Sequence, residues 1–183
     1  MRSMPDQAAE LVTQLLFGEH YKVLESRKNW SRVKTVFDKC EGWIMNNQLT
    51  FIPEDEYLAL ESSSSPKYVT ELISFVEDSN KMVTPILIGS SIPDTSSLPV
   101  TFDGKTVQGE QLNEKLIKTA LLYLNSPELK GGKSPFGIDS AGFAQMVYKI
   151  NGYHLLRTAE SQSKQGTALS FCRRERSRRP SIF

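Results

Sequence analysis

The chain has 183 residues, 39% of them hydrophobic and 23% charged, and a formal net charge of +1. This composition excludes a disordered chain and is typical of one ordinary soluble domain or two small ones. The sequence contains no run of about 18 apolar residues, so we expect no membrane span and no membrane partner. The N-terminal residues lack the apolar core of a signal peptide. This favours a cytoplasmic location as the sequence stands, or the cell envelope if an N-terminal signal was lost.

Positive charge is concentrated near the C-terminal end. Residues 173–179 carry five arginines and one glutamate, so the rest of the chain is net negative. We predict a solvated basic tail over residues 173–183, because no aromatic or helical pattern accompanies the arginines. For the same reason we expect no nucleic-acid partner.

The chain has two cysteines and two histidines, and their spacing fits no metal site. Two cysteines are also too few for a disulfide framework. Cys40 lies in a predicted strand or turn and Cys172 lies beside the basic tail, so neither is a promising nucleophile. We expect no metal and no cofactor.

Residues 8–48 alternate short apolar segments with turn residues, which predicts strands of a small β-barrel. The predicted strands are residues 11–17, 21–24, 30–37 and 42–44. The order of these segments, with Gly18-Glu19 and Gly42-Trp43 between them, resembles a bacterial SH3-like domain, a targeting module often joined to NlpC-type peptidases. We assign residues 1–50 to such a barrel, with its first strand clipped.

Trp30 and Trp43 belong to this predicted barrel. In so small a barrel a tryptophan is more often core than ligand platform, because it buries a large apolar area. The alternative is an aromatic groove for cell-wall peptide or glycan.

Residues 51–110 are predicted to be a linker and a small β-rich spacer, with the linker clearest at residues 61–66. We predict a strand over residues 85–89 and a hairpin of residues 100–102 with 105–107 around Asp103-Gly104. The spacing of four apolar residues predicts a short amphipathic helix. These four are Tyr68, Leu72, Ile73 and Val76.

A helical pattern begins near Leu112 and ends before Pro127. Its predicted apolar stripe consists of Leu112, Leu116, Ala120 and Leu124, widened by Ile117 and Leu121.

A glycine-rich loop follows and runs into a second amphipathic helix. Gly131, Gly132 and Gly137 permit backbone angles that other residues avoid. Asp139 or Ser140 can cap the helix, whose predicted stripe is Phe143, Val147 and Ile150. A residue at such a helix start lies at the positive end of the helix dipole, where an anionic nucleophile is favoured.

This stretch resembles the active-site loop of the NlpC-type cell-wall peptidases, a branch of the papain-like cysteine peptidases. Their motif reads Tyr-x-Trp-Gly-Gly, a short loop, and then Asp-Cys-Ser-Gly-Phe. The matching residues here are Glu128, Lys130, Gly131, Gly132, Asp139, Ser140, Ala141, Gly142 and Phe143. Residues 156–162 also look like a strand-and-turn segment of that family. The chain departs from the motif at the nucleophile, at its neighbour and at both aromatic positions.

The resemblance implies an α+β fold in which a small SH3-like β-barrel precedes the N-terminal part of a papain-like NlpC-type domain, at residues 111–172. It implies hydrolysis of the amide between D-glutamate and the diamino acid of murein stem peptides. Ser140 stands at the nucleophile position. The implied substrate-binding residues are Glu128, Lys130, Gly132, Asp139, Ala141 and Arg157.

Catalysis of this type needs a thiolate and a histidine base near it. His20 belongs to the predicted barrel, and His154 follows the helix that Ser140 begins, about 15 Å further along. We therefore predict a relative of the murein peptidases that is catalytically impaired. The alternatives are a non-catalytic module that binds cell-wall peptide or glycan, and a frameshifted fragment whose sequence changes abruptly at Cys172. The oligomeric state is left open.

A papain-like helix of this kind is normally covered by the sheet that follows it. Because the family-like sequence stops near Phe171, we expect the stripe of Phe143, Val147 and Ile150 to have little to pack against. This predicts that residues 111–183 are molten or oligomeric in isolation.

Overall fold

The computed structural model describes residues 1–62 and 66–167. The first part is a three-stranded antiparallel sheet of β1 (Tyr21–Ser26), β2 (Trp30–Thr35) and β3 (Glu41–Met45), in that order. Arg2 extends this sheet, since it bridges both Trp43 and Leu11. The predicted strand over residues 11–17 is wrong: within it only Leu11 forms a β-bridge, with Arg2, and the Leu16 amide donates to the Glu19 carboxylate.

The two tryptophans of this sheet differ in burial. Trp43 is buried in the core, as predicted, and the Arg27 guanidinium lies over its ring at 4.4 Å. Trp30 is half-buried at the start of β2. Trp30 therefore keeps part of its surface in contact with solvent.

Helix α1 (Glu54–Ser62) follows the sheet and was not predicted. None of its residues is buried, so it lacks the apolar stripe by which a helix is recognised in a sequence. It includes the first two residues of the predicted linker; residues 63–65 lie outside the described residues.

The middle of the chain forms two small antiparallel sheets. One has the order β6-β5-β7 and the other pairs β4 with β8. Their bounds are β4 Tyr68–Val69, β5 Ile73–Asp78, β6 Val83–Leu87, β7 Val100–Thr101 and β8 Thr106–Val107. The predicted strand near residues 85–89 is confirmed in type and begins earlier.

The helix predicted through Tyr68 and Val76 is wrong, because both residues lie in strands. Along β5, Ser74 and Val76 are buried while Ile73 and Phe75 are exposed, the two-residue period of a strand. In so short a segment, the four-residue spacings from Tyr68 to Leu72 and from Leu72 to Val76 fit both a helix and a strand.

The predicted hairpin around Asp103-Gly104 is also wrong, because its two arms pair with different strands. β7 pairs with β5, and β8 pairs with β4. The Glu71 carboxylate accepts a hydrogen bond from the Lys105 amide at 3.1 Å, which holds the connecting turn against the sheet. Tertiary pairing therefore outweighs the local preference for a two-residue turn.

The last part contains helix α2 (Asn113–Leu122), the two-stranded hairpin of β9 (Lys133–Ser134) and β10 (Gly137–Ile138), helix α3 (Ser140–Ile150) and helix α4 (Ala159–Ser163). The predicted α2 helix is confirmed, but its buried face is different. Leu116, Thr119 and the following Tyr123 are buried. Four residues of the predicted stripe are exposed: Leu112, Ile117, Leu121 and Leu124.

The main core brings together residues that are far apart in the sequence. Its buried members are Leu16, Ile88, Tyr123, Ile138, Met146 and Ile150. The expectation that the α3 stripe lacks cover is wrong, because Val147 and Ile150 are 7% and 2% exposed; only Phe143, at 37%, is open. The segments that precede α3 cover it, rather than a sheet that follows it.

The α+β architecture is confirmed. The division into residues 1–50, 51–110, 111–172 and 173–183 stays a prediction, and Cys172 with the basic tail lies outside the described residues. Among residues 1–62 and 66–167 no helix is long and apolar enough to cross a membrane.

Candidate functional site

The glycine-rich loop packs tightly against the start of α3. Gly131 has a φ of +81°, and a Cβ added there would lie 2.2 Å from the Leu11 carbonyl oxygen. A Cβ on Gly142 would lie 2.3 Å from the Gly132 oxygen. No side chain fits at these distances, so glycine is required at 131 for the loop to approach the N-terminal segment and at 142 for the helix to approach the loop.

Asp139 caps α3 and accepts four hydrogen bonds. Its Oδ1 accepts from the Gly142 amide at 2.6 Å, and its Oδ2 accepts from the Gly131 amide at 2.8 Å. Arg157 supplies the other two. Partial burial acts to raise the pKa of Asp139, but the Arg157 and backbone hydrogen bonds outweigh it and the pKa is lowered. The carboxylate therefore stays charged at the helix start.

Arg157 is buried and holds the glycine-rich loop in place. It is 4% exposed and donates from Nε to Thr13 Oγ1 at 3.0 Å and from Nη2 to the Gly132 oxygen at 3.2 Å. Further along the same segment, Gln162 Nε2 donates to the Ala141 oxygen at 2.9 Å. The segment that resembled a family strand-and-turn thus holds the loop and the helix start together.

Ser140 is the first residue of α3 and is exposed. Within the described part of the chain, its side chain has no hydrogen-bond partner. A hydroxyl at a helix N-terminus is well placed to meet a ligand, because the amide groups and the dipole there favour negative charge. Without an aligned base it remains a weak nucleophile.

Neither histidine contacts Ser140. The His154 Nε2 atom lies against the Phe37 carbonyl oxygen, with the ring centroids of the two residues 4.8 Å apart. The His20 ring lies edge-on to Tyr57 at 5.6 Å, and burial lowers the pKa of His20. Both imidazoles therefore contact other residues in the fold.

The predicted binding residues fall into two groups. Glu128 and Lys130 are exposed, and Lys130 forms an ion pair with Glu10. The second group, consisting of Gly132, Ala141, Asp139 and Arg157, surrounds the start of α3. In that group Asp139 and Arg157 form an ion pair with each other, so both have a structural role. Their role in substrate binding stays a prediction.

Sequence reasoning missed a buried ionic cluster of Glu19, Lys133 and Lys149. Glu19 Oε1 accepts from Lys133 Nζ at 2.8 Å and from Lys149 Nζ at 2.6 Å. Burial alone would raise the pKa of Glu19, but the two ammonium groups lower it to about 2. Burial lowers the pKa of Lys149, and Glu19 opposes this. In the sequence, the sign of this cluster is Lys149, which lies among the apolar positions of α3. Its position does not show which residue it pairs with.

No cluster of three or more metal-ligating side chains exists among the described residues.

The chain is similar to several known proteins. Residues 1–49 match a family described as the bacterial dipeptidyl-peptidase SH3 domain. The chain is 27% identical to dipeptidyl-peptidase 6 of Lysinibacillus sphaericus, over 85% of this chain and 67% of that protein. It is 43% identical to the gamma-D-glutamyl-L-lysine dipeptidyl-peptidase of Bacillus subtilis (strain 168), over 84% of this chain and 58% of that protein.

A solved structure gives the same fold. An NlpC/P60 family protein from Bacillus cereus superposes with a TM-score of 0.69 at 21% identity, over 86% of this chain and 61% of that one. The chain thus spans about three fifths to two thirds of the length of the relatives it matches. These findings bear out the resemblance: residues 1–49 match the bacterial dipeptidyl-peptidase SH3 domain, the chain is similar to gamma-D-glutamyl-L-lysine dipeptidyl-peptidases, and its fold is that of an NlpC/P60 family protein.

Proposed function

We propose that this chain binds murein stem peptides at the Ser140 end of α3 and does not cleave them. The main support for the proposal is that Ser140 is exposed at the first position of α3. The hydrogen bonds that hold the helix start against the glycine-rich loop are also present. The cap by Asp139 and the buried Arg157 keep the loop in one arrangement. The relatives named gamma-D-glutamyl-L-lysine dipeptidyl-peptidases support a peptide containing that linkage as the ligand.

The lack of cleavage follows from the chemistry of serine. A hydroxyl needs a base that removes its proton, and such a base must lie within about 3 Å. Among the described residues, none forms a hydrogen bond with the Ser140 side chain, and both histidines contact other residues. Ser140 can then contribute a hydrogen bond to a ligand without attacking it.

The edge of this site carries charged side chains where the NlpC-type motif has aromatic ones. Glu128 and Lys130 are exposed close to the glycine-rich loop, so a peptide would meet charges rather than stacking surfaces. Exposed charges at the edge of a site raise the association rate of a ligand more than its affinity, and salt weakens their effect. We expect binding that becomes weaker as ionic strength rises.

Binding is tested by calorimetric titration of the purified chain with a peptide that contains the γ-D-glutamyl-L-lysine linkage. Lys130→Glu should weaken binding, whereas Lys118→Glu, a charge change on exposed α2, should not. Amide shifts of residues 139–142 in NMR spectra should locate the peptide. Absence of saturable binding, or shifts confined to other regions, would contradict the proposal.

A second candidate is glycan binding by the SH3-like domain. A surface pocket beside half-buried Trp30 is lined by polar side chains that suit sugar hydroxyls. These are Asp6, Gln7, Asn29, Asn46 and Asn47. Retention of the chain on murein glycan that is lost in Trp30→Ala, while Phe51→Ala retains it, supports this candidate; equal retention of both variants argues against it.

A further inference from the structure

A cavity of about 740 Å³ lies at the meeting point of all parts of the chain. Its walls come from the turn after β2, the end of α1, the start of β4, residues 91–94 and 108–109, and the residues that follow α3. Lys149 and Gly152 line it at the C-terminal end of α3, whereas Ser140 begins that helix. An 11-residue helix is roughly 15 Å long, so the cavity is separate from the candidate active site.

Two buried ammonium groups line this cavity. The side chains of Lys133 and Lys149 are 2% and 1% exposed, and both pair with the same oxygen of Glu19. The other Glu19 oxygen accepts from the Leu16 amide at 3.0 Å. One carboxylate therefore serves two lysines, and it has no further oxygen to offer.

The ammonium groups retain unused donors. Each has three N–H groups. Lys133 Nζ has one acceptor, and Lys149 Nζ has two, Glu19 and the Gly89 oxygen at 3.0 Å. Among the described residues no other oxygen or nitrogen acceptor is bonded to them, which leaves three N–H groups without such an acceptor, although Lys149 also faces two aromatic rings. Buried charged donors without acceptors are costly, so an acceptor inside the cavity would be stabilised.

The nearby Asp38 does not supply that acceptor. Its Oδ1 accepts from Thr35 Oγ1, and its Oδ2 accepts from Gln145 Nε2 at 3.0 Å. No ion pair joins Asp38 to either lysine in the described part of the chain. Its charge offsets part of the positive potential, but its oxygens are directed to other donors.

Aromatic rings line the same space. Lys149 Nζ lies 5.3 Å from the Phe37 ring centroid and 5.0 Å from that of Tyr68. Tyr153 and His154 add two further rings. The Tyr153 hydroxyl already donates a hydrogen bond to the Gln111 carbonyl oxygen. The cavity thus combines cationic donors with flat apolar walls, and its volume is in the range of pockets that hold small organic ligands.

We propose that this cavity binds a small organic carboxylate, whose oxygens accept hydrogen bonds from Lys133 and Lys149 while its apolar part packs against the rings of Phe37 and Tyr68. The site lies outside the proposed peptide site and does not depend on it. A carboxylate fits better than a neutral molecule, because hydrogen bonds between charged groups are shorter and stronger than neutral ones.

The test compares benzoate with benzamide, which has the same shape and no charge, by NMR titration of the full chain. Benzoate should saturate, with shifts at the cavity-lining Gly18, Gly109 and Gly152 amides and none at Ser140. Benzamide should bind at least about tenfold more weakly, which corresponds to the loss of one charge-assisted hydrogen bond. Equal binding of both compounds, shifts elsewhere, or no saturation by benzoate would overturn the proposal.

Lysine substitutions provide a second test of carboxylate binding. Lys149→Met should weaken benzoate binding at least about tenfold, and Lys118→Met on exposed α2 should leave it unchanged. If Lys149→Met does not fold, the comparison of benzoate and benzamide on the unaltered chain still decides the question. Saturable binding of inorganic phosphate without benzoate binding would mean a different class of anion and would contradict the proposal.

Discussion

Arg157 and Asp139 face each other in a bidentate pair, with Nη1 to Oδ1 at 2.9 Å and Nη2 to Oδ2 at 2.8 Å. The same carboxylate caps α3, and the same guanidinium holds Gly132 and Thr13. One ion pair therefore connects the helix start, the glycine-rich loop and the N-terminal segment. The geometry around Ser140 depends on this pair.

Arg157→Lys should destabilise the fold although the charge is kept. A lysine cannot donate two parallel hydrogen bonds from a planar group, so at least one Asp139 oxygen and the Gly132 carbonyl lose the hydrogen bond that Arg157 donates. We expect a loss of about 1–3 kcal/mol of unfolding free energy, measured by urea denaturation. Arg32→Lys, at an exposed position of β2, is the matched control. Equal stability of the two variants would show that the parallel hydrogen bonds are dispensable.

Gly131→Ala should distort the loop that precedes Ser140. The residue has a φ of +81°, and an added Cβ would lie 2.2 Å from the Leu11 backbone oxygen. The strain and the displacement of backbone together should cost about 2 kcal/mol or more in urea denaturation. Gly166→Ala is the control, since nothing lies within 4 Å of its added Cβ. A change in Gly131→Ala no larger than in this control would contradict the described loop.

Glu19 should make stability depend on pH in the acid range. Its pKa is lowered from 4.5 to about 2 in the folded state, so the folded state binds fewer protons there than the unfolded state. The contribution of Glu19 is full above pH 4.5 and is lost as the pH falls toward 2. The difference in unfolding free energy between the wild type and Glu19→Gln should therefore shrink over that interval.

The direct check on Glu19 is an NMR titration of its side-chain carboxyl carbon. A midpoint near the ordinary glutamate value would mean that the two lysines do not hold the carboxylate as described. It would also contradict the shared Glu19 acceptor of Lys133 and Lys149 in the proposed carboxylate site.

Leu16→Ala should destabilise α3 although Leu16 is far from it in sequence. Leu16 is buried in the cluster that contains Met146 and Ile150. We expect a loss of about 2–5 kcal/mol and reduced hydrogen-exchange protection of the α3 amides. Leu121→Ala, on the exposed face of α2, should change neither. Weak protection of α3 in the wild-type monomer would instead support the expectation of an uncovered helix.

Part of this structure could be predicted from the sequence. Turn residues such as Gly18 mark the strands of the first sheet, and Asp139 marks the start of α3. These signals are local: a turn and a helix cap depend on residues a few positions away. The resemblance to NlpC-type peptidases also depended on a local motif around Ser140.

The errors arose where distant contacts decide the structure. The segment from Tyr68 to Val76 is too short for its apolar spacing to separate helix from strand, and pairing with other strands decides. The pairing of Lys149 with Glu19, 130 residues away in sequence, leaves no local pattern at all. Sequence alone could not show that Leu16 and Ile88 cover α3.

Peptide binding without cleavage is checked by mass spectrometry of a γ-D-glutamyl-L-lysine peptide incubated with the chain. Wild type, Ser140→Ala and Ser140→Cys are compared at a peptide concentration that saturates binding. We predict no cleaved product with any of them, because neither histidine lies against residue 140. Product formed by the wild type and lost in Ser140→Ala would show that Ser140 is a working nucleophile and would contradict binding without cleavage.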